Sequence, residues 1–214
     1  MITRRAFTVA LAAISQAASV PQAAAVNESP IVITGDLGRV GTALHQIWSD
    51  RQIVGIDIKR GPEEDLLANS DWNSKIKDGS IVVHLAIREG WDADTAEYDH
   101  RLNTAILGAC IEKKAARLVF TSSQMARPRD LDIPFTYYGA EKIGMEARME
   151  AASEQDLLQA RCLRLGTFLP GQREIAHDWT RVNNITLEYW INKAIDLKDA
   201  APFRRWDVIG QTVR

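Results

Sequence analysis

A tyrosine, a lysine and a pair of serines have the types and spacing of acid/base chemistry. Tyr138 and Lys142 form Tyr-x-x-x-Lys within YGAEK, and Ser122 and Ser123 close the run LVFTSS. A spacing of four puts the phenol and the ammonium on one face of a helix. A phenol with its ordinary pKa of about 10 is a poor base at neutral pH. A nearby ammonium stabilises the phenolate and lowers that pKa, which makes a usable acid/base. A serine hydroxyl at the carboxyl end of a strand can hydrogen-bond the carbonyl or alcohol that reacts. Taken alone, Tyr138 and Lys142 would equally suit an ordinary surface pair.

A second constellation lies upstream. Thr34-Gly35-Asp36-Leu37-Gly38-Arg39-Val40-Gly41 is a glycine-punctuated turn between a β-branched run and a helical pattern. Glycine there lets the backbone turn tightly and approach a pyrophosphate, and the helix N-terminus adds free N–H groups and a positive dipole end. Some twenty residues on, Asp57 ends the next apolar run, where a carboxylate accepts hydrogen bonds from both hydroxyls of an adenosine ribose. A carboxylate there repels a 2′-phosphate, so NAD is favoured over NADP. Lys59 and Arg60 follow closely and could soften that choice.

These groups need a frame, and the chain supplies alternating strands and helices. Short apolar runs occur at residues 30–34 (PIVIT), 53–58 (IVGIDI), 80–86 (SIVVHLA), 118–121 (LVFT) and 160–165 (ARCLRL). Helical patterns separate them. Val40, Leu44, Ile47 and Trp48 share one face, residues 102–113 and 139–152 form two more helices, and residues 186–196 a last one, with a final strand expected near 206–209. Apolar strands of this length between helices predict an α/β fold of the Rossmann type, a doubly wound parallel sheet covered on both faces. The organisation expected is an N-terminal leader at 1–25, a dinucleotide-binding domain at 30–169, and a small, shortened substrate-side segment at 170–214.

Composition narrows the function. The 214 residues suit one domain with a sizeable core, and 46% hydrophobic with 25% charged residues is ordinary for a globular protein. The formal net charge of −2 leaves no basic excess to neutralise nucleic-acid phosphates. No run of apolar residues is long enough for a membrane span. Cys110 and Cys162 cannot form a disulfide scaffold, no Cys/His cluster has zinc spacing, and both read as separate buried thiols. His84 reads as packed in its strand, whereas His45, His100 and His177 read as solvated.

Residues 1–25, MITRRAFTVALAAISQAASVPQAAA, carry Arg4 and Arg5 as their only charges, then a mildly apolar run, then Ala23-Ala24-Ala25. That is the order of a cleaved signal peptide, and TRRAF resembles the twin-arginine export motif. The expected location is exported or periplasmic. A transit peptide or a mis-assigned start, with a cytoplasmic protein, are the other readings.

Taken together, TGDLGRVG, Asp57, Asp65-Leu66, His84-Leu85-Ala86, Asn103, FTSS, YGAEK and Leu163-Arg164-Leu165-Gly166 resemble the extended short-chain dehydrogenases/reductases of the NAD-dependent epimerase/dehydratase family. The resemblance runs from about residue 30 to 194. Residues 164–179, RLGTFLPGQREIAHDW, are similar to a segment of the uronate dehydrogenases, which oxidise a hexuronate at C1 with NAD. The resemblance implies that Gly35, Leu37, Gly38 and Arg39 hold the pyrophosphate. It implies Asp57 and Ile58 at the adenosine ribose, and Asp65 and Leu66 by the adenine. Leu85, Ala86 and Ile87 would run beside the cofactor, with Asn103 ordering the active-site backbone. Ser123, Tyr138 and Lys142 are implied as the catalytic set, Lys142 also binding the nicotinamide ribose. Ser123, Gln124, Thr167 and Arg173 are implied at the substrate, Arg173 meeting a carboxylate. The chain departs from uronate dehydrogenases at Gln124-Met125, where they carry Asn-His. The serine-to-tyrosine connection is also short, and the position of their carboxylate-binding Arg falls on Glu174.

The expectation is an NAD-dependent oxidoreductase acting on a sugar or sugar acid, with a homodimer as the default assembly. Two alternatives stand beside it: an epimerase or dehydratase that retains its NAD, and a noncatalytic NAD-binding module.

Overall fold

The computed structural model describes residues 29–68, 70–88, 90–126, 136–168 and 181–208. The leader at 1–25, and His177 and Arg173 with most of the uronate-dehydrogenase-like segment, lie outside these residues. Six strands form one sheet: β1 (Ile31–Thr34), β2 (Ile53–Ile56), β3 (Ile81–His84), β4 (Arg117–Ser123), β5 (Ala160–Leu165) and β8 (Phe203–Asp207). Their order is β2-β1-β3-β4-β5-β8 and every pairing is parallel. Two short strands, β6 (Thr167–Phe168) and β7 (Arg181–Val182), pair separately. The helices are α1 (Arg39–Ile47), α2 (Ala93–Glu112), α3 (Tyr137–Glu154) and α4 (Asn184–Ile195).

The apolar runs are continuous because both sheet faces are buried. Side chains alternate along a strand. Val32, Val82, Leu118 and Phe120 face α2 and α3, where Leu102, Ile106, Met145 and Met149 meet them. Ile31, Ile33, Val83, Val119 and Leu163 face α1 and α4 and pack against Leu44, Trp48, Leu187 and Ile191. Each such side chain, fully buried, is worth about 1.5–3 kcal/mol.

Two expectations are corrected. Helix α2 starts at Ala93, well before Leu102, because the Asp92 carboxylate caps it by accepting from the Thr95 N–H at 2.7 Å. Its first turns bury Thr95 and Asp99, which are polar, so no apolar stripe marks them. The last strand is β8, earlier than expected. It pairs with β5 in the main sheet, and α4 packs on the same core. From the segment after residue 170, β8 thus forms the last strand of the parallel sheet and α4 packs against one of its faces. No helix among the described residues is long and apolar enough to cross a membrane.

Candidate active site

β1 has β2 and β3 as its two neighbours, so the chain reverses its winding direction there, and a crevice opens at the carboxyl ends of the strands. A cleft of about 1110 Å³ occupies this position. Gly35, Gly38, Asp57 and Leu66 line one part of it, and Ser123, Tyr138 and Lys142 another.

The glycine turn is constrained. Gly35 has φ +71°, and a Cβ there would come 2.8 Å from the Ala86 backbone. A Cβ on Gly41 would meet the Asp36 carbonyl oxygen at 2.4 Å, so only glycine lets α1 start this close to the turn. Gly38 is the N-cap and offers no side chain to the first-turn N–H groups of α1, which have no intrahelical acceptors of their own. Asp57 lies on the cleft wall. Its two carboxylate oxygens accept from the Leu37 N–H at 3.0 Å and the Lys59 N–H at 2.9 Å. The Leu37 amide is thus engaged by Asp57, and Leu37 does not line the cleft. A glycine cradle, an open helix N-terminus and a carboxylate at the next strand end fit a dinucleotide.

At the other end, the Thr136 side chain caps α3 by accepting from the Gly139 N–H at 2.9 Å. Tyr138 then sits in the first turn and Lys142 one turn on. A Cβ on Gly139 would meet the Met125 carbonyl oxygen at 2.6 Å, so glycine lets this turn close against the loop after β4. Ser122 is tied back, donating to Glu146 Oε1 at 2.6 Å, and Ser123 is the serine that hydrogen-bonds Tyr138. Lys142 is almost wholly buried. Its ammonium donates to the Thr121 carbonyl at 3.1 Å and lies 4.5 Å from the Phe120 ring centroid and 5.3 Å from that of Tyr138.

The electrostatics differ from the expectation. Burial pushes Lys142 down to about 8, against Asp99, Glu141 and Glu146, which favour its charge. Burial also holds the Tyr138 phenol above its ordinary value. The Ser123 hydrogen bond opposes this rise and the negative Asp99 adds to it. With the protein alone the phenol stays above its ordinary value, because desolvation of the phenolate outweighs the Ser123 hydrogen bond.

The other expected residues divide. Arg39, Ile58, Asp65, Leu66, Leu85, Ala86, Ile87, Gln124 and Thr167 all lie on the cleft wall. Asn103 does not line the cleft. Its Oδ1 accepts from His84 Nε2 at 2.8 Å and its Nδ2 donates to Glu141 Oε1 at 2.9 Å. His84 is therefore protonated on Nε2, and its Nδ1 accepts from the Thr34 hydroxyl at 2.6 Å. His45 and His100 are also paired rather than simply solvated. His45 Nε2 lies 2.9 Å from Asp36, and His100 Nδ1 lies 3.1 Å from Glu141.

Sequence reasoning missed two groups here and reads a third, Trp91, only as core or pocket wall. Trp91, exposed on the loop after β3, lies on the cleft wall 5.3 Å from the Tyr138 ring. Buried Glu64 pairs with Lys75 at the edge of the cleft. Glu146 takes a bidentate hold from Arg164 at 2.9 and 2.7 Å and a further ion pair from Arg205 at 2.8 Å. None belongs to a short motif; only the helical spacing of Lys142 and Glu146 hints at a shared face.

His84 gives a pH prediction. Burial lowers its pKa to about 3, with the Lys142 charge adding to the drop and the Asn103 bond opposing it. Between that value and 6.5 the unfolded chain binds a proton that the folded chain does not. Stability therefore falls as pH drops through this window, by up to about 1.4 kcal/mol per pH unit from this residue. Denaturant unfolding of wild type and His84→Gln across pH 4–6.5 checks it. The variant's pH slope is expected to be shallower; equal slopes would mean that His84 titrates normally.

A family model described as the NAD dependent epimerase/dehydratase family matches residues 31–205. No curated protein matches the chain. Among solved structures, a mutated uronate dehydrogenase is 17% identical with a TM-score of 0.64, covering 83% of this chain and 73% of its own. The UDP-N-acetylglucosamine 4-epimerase from Bacillus cereus is 16% identical with a TM-score of 0.62, covering 83% and 78%. MoeE5 in complex with UDP-glucose and NAD is 20% identical with a TM-score of 0.65, covering 83% and 75%. At these identities the likeness is one of fold.

Proposed function

Because this chain belongs to the NAD dependent epimerase/dehydratase family, we propose that it is an NAD-dependent oxidoreductase of a sugar or sugar acid, with Tyr138 as its acid/base. One observation carries the reading: a single cleft has a glycine cradle with Asp57 along one part and Ser123, Tyr138 and Lys142 along another. A site that only sensed a dinucleotide would have no need of the second group.

Bound in this cleft, oxidised NAD supplies the hydride acceptor and a positive charge. Gly35, Gly38 and the first turn of α1 hold its pyrophosphate, and Asp57 takes the hydroxyls of its adenosine ribose. Ser123 donates to the substrate oxygen and fixes it beside the phenol. Tyr138 removes the proton from that hydroxyl as the carbon is oxidised, and returns it in the reverse direction. Lys142, held by the Thr121 carbonyl, stabilises the phenolate and reaches the nicotinamide ribose. A uronate is the proposed substrate class, on the likeness of residues 164–179 to uronate dehydrogenases. The solved uronate dehydrogenase with the same fold is consistent with it.

The test is absorbance at 340 nm with NAD and a panel of galacturonate, glucuronate, neutral sugars and UDP-sugars. NADH appearing in step with an oxidised product is the expected result. Interconversion of a UDP-sugar without released NADH would favour the retained-cofactor reading, to which the 4-epimerase fold likeness points. Bound NAD with neither outcome would overturn the enzyme reading.

A further inference from the structure

The second residue of the glycine turn is an aspartate whose carboxylate is wholly buried. Asp36 Oδ2 forms an ion pair with the Arg60 guanidinium and lies 2.9 Å from His45 Nε2. Asp36 Oδ1 has no hydrogen-bond partner among the described residues. A buried carboxylate held through one oxygen is costly to keep, so its place calls for a reason.

Gly55, in the middle of β2, makes room for the pair. A Cβ there would come 2.1 Å from Asp36 Oδ2 and 2.8 Å from Arg60 Nη2. Any other residue at position 55 would push the pair apart. Three separate positions, 36, 55 and 60, therefore act together to seat one guanidinium over β2.

The consequence falls on the adenosine ribose. Asp57, Ile58 and Lys59 line the cleft, but Arg60, next along the same turn, does not. An arginine just after the ribose carboxylate is well suited to take a 2′-phosphate, because its planar fork matches phosphate oxygens. Here it is drawn off and its charge is neutralised. The Lys59 ammonium stays at the cleft, with only a 3.5 Å contact to the Leu37 carbonyl.

We propose that Asp36 is a specificity-determining residue that acts through Arg60: it holds the guanidinium over Gly55, away from the ribose, and so keeps the site selective for NAD. The inference deepens the proposed function and rests on the reading of the cleft as a dinucleotide site. Asp36 is a positioning residue, so its effect belongs in the ratio of the two cofactors' affinities.

The experiment is calorimetric titration of the full chain with NAD and with NADP, for wild type, Asp36→Ala and Asp36→Ala/Arg60→Ala, each with a melting curve. Wild type is expected to prefer NAD. Asp36→Ala frees Arg60, and the NADP-to-NAD affinity ratio is expected to rise about tenfold, the worth of one charge-assisted bond to phosphate. The double variant is expected to lose that gain, which a general loosening of the turn would not produce. If Asp36→Ala does not fold, Asp36→Asn keeps the shape, removes the charge and shifts the ratio the same way by less. An unchanged ratio in a folded Asp36 variant overturns the proposal, as does a gain that survives in the double variant. A wild type that binds neither dinucleotide overturns the underlying reading of the cleft itself.

Discussion

Replacing Tyr138 with phenylalanine is expected to lower turnover by roughly 10²- to 10⁴-fold, the usual range for one acid/base group. The substitution removes a single oxygen. The ring remains to pack against Trp91 and to face the Lys142 ammonium, each about 5.3 Å away, so neither the fold nor the cofactor cradle changes. NAD affinity and melting temperature are expected to stay near wild type while NADH formation at 340 nm falls by that factor. The pH profile adds a second readout. Burial holds the phenol above its ordinary value, so little phenolate exists at neutral pH and oxidation by wild type is expected to accelerate as pH rises. Lys142 opposes this above about 8, where it loses its proton and its help to the phenolate. The residual rate of Tyr138→Phe is expected to lack this alkaline rise. A variant keeping more than about a tenth of wild-type rate would remove Tyr138 from the chemistry.

The parts of this site that can be read from sequence are those that depend on backbone shape. Gly35 and Gly41 stand where a Cβ would strike backbone, and Asp57 stands at a strand end; each constraint is local and leaves a fixed spacing. The strands are legible for the same kind of reason, since sheet faces buried on both sides demand unbroken apolar runs such as IVIT and IVVH. Legibility fails where burial is polar. The first turns of α2 bury Thr95 and Asp99, and β8 is FRRWD, whose arginines and aspartate match no apolar strand pattern. It fails again where partners are remote in the chain. His84 reads as a packed histidine, but its bonds to Thr34 and Asn103 join residues fifty positions before it and nineteen after. The acidity of Tyr138 is the clearest case. Spacing shows that an ammonium lies on the same helix face, but not that burial holds the phenol above its ordinary value.

The same limit hides Arg117, whose replacement by methionine is expected to cost about 3–5 kcal/mol of stability. In the sequence it stands just before the apolar run at 118–121, outside every motif. In the fold it is wholly buried, and burial lowers its pKa to about 10, with the nearby Arg161 adding to the drop and Asp199 and Asp196 opposing it. Its guanidinium donates to the carbonyls of Ala194 at 3.0 Å, Asp196 at 2.6 Å and Asp199 at 2.6 Å, and to Gln159 Oε1 at 2.6 Å. Ala194 lies in the last turn of α4, whose final carbonyls have no intrahelical donors. One side chain on β4 therefore closes the end of α4 and pins the chain that leads into β8. Methionine fills similar volume but takes the donor from the Ala194 carbonyl and Gln159 Oε1, at about 1–3 kcal/mol for each that stays buried, while the Asp196 carbonyl keeps the Asp199 N–H and the Asp199 carbonyl keeps Arg161. The chain could relax enough to wet some of them, which keeps the total below their sum. For a chain of this length the loss corresponds to a melting temperature lower by about 10 °C. Thermal unfolding of wild type and Arg117→Met measures it, and a shift under about 2 °C would mean that water replaces the arginine freely. Arg117 is absent from the cleft wall, so NAD affinity well below the melting transition is expected to stay near wild type. That separation would mark Arg117 as a tie of the fold, in contrast to Tyr138, whose loss cuts turnover and leaves the fold standing.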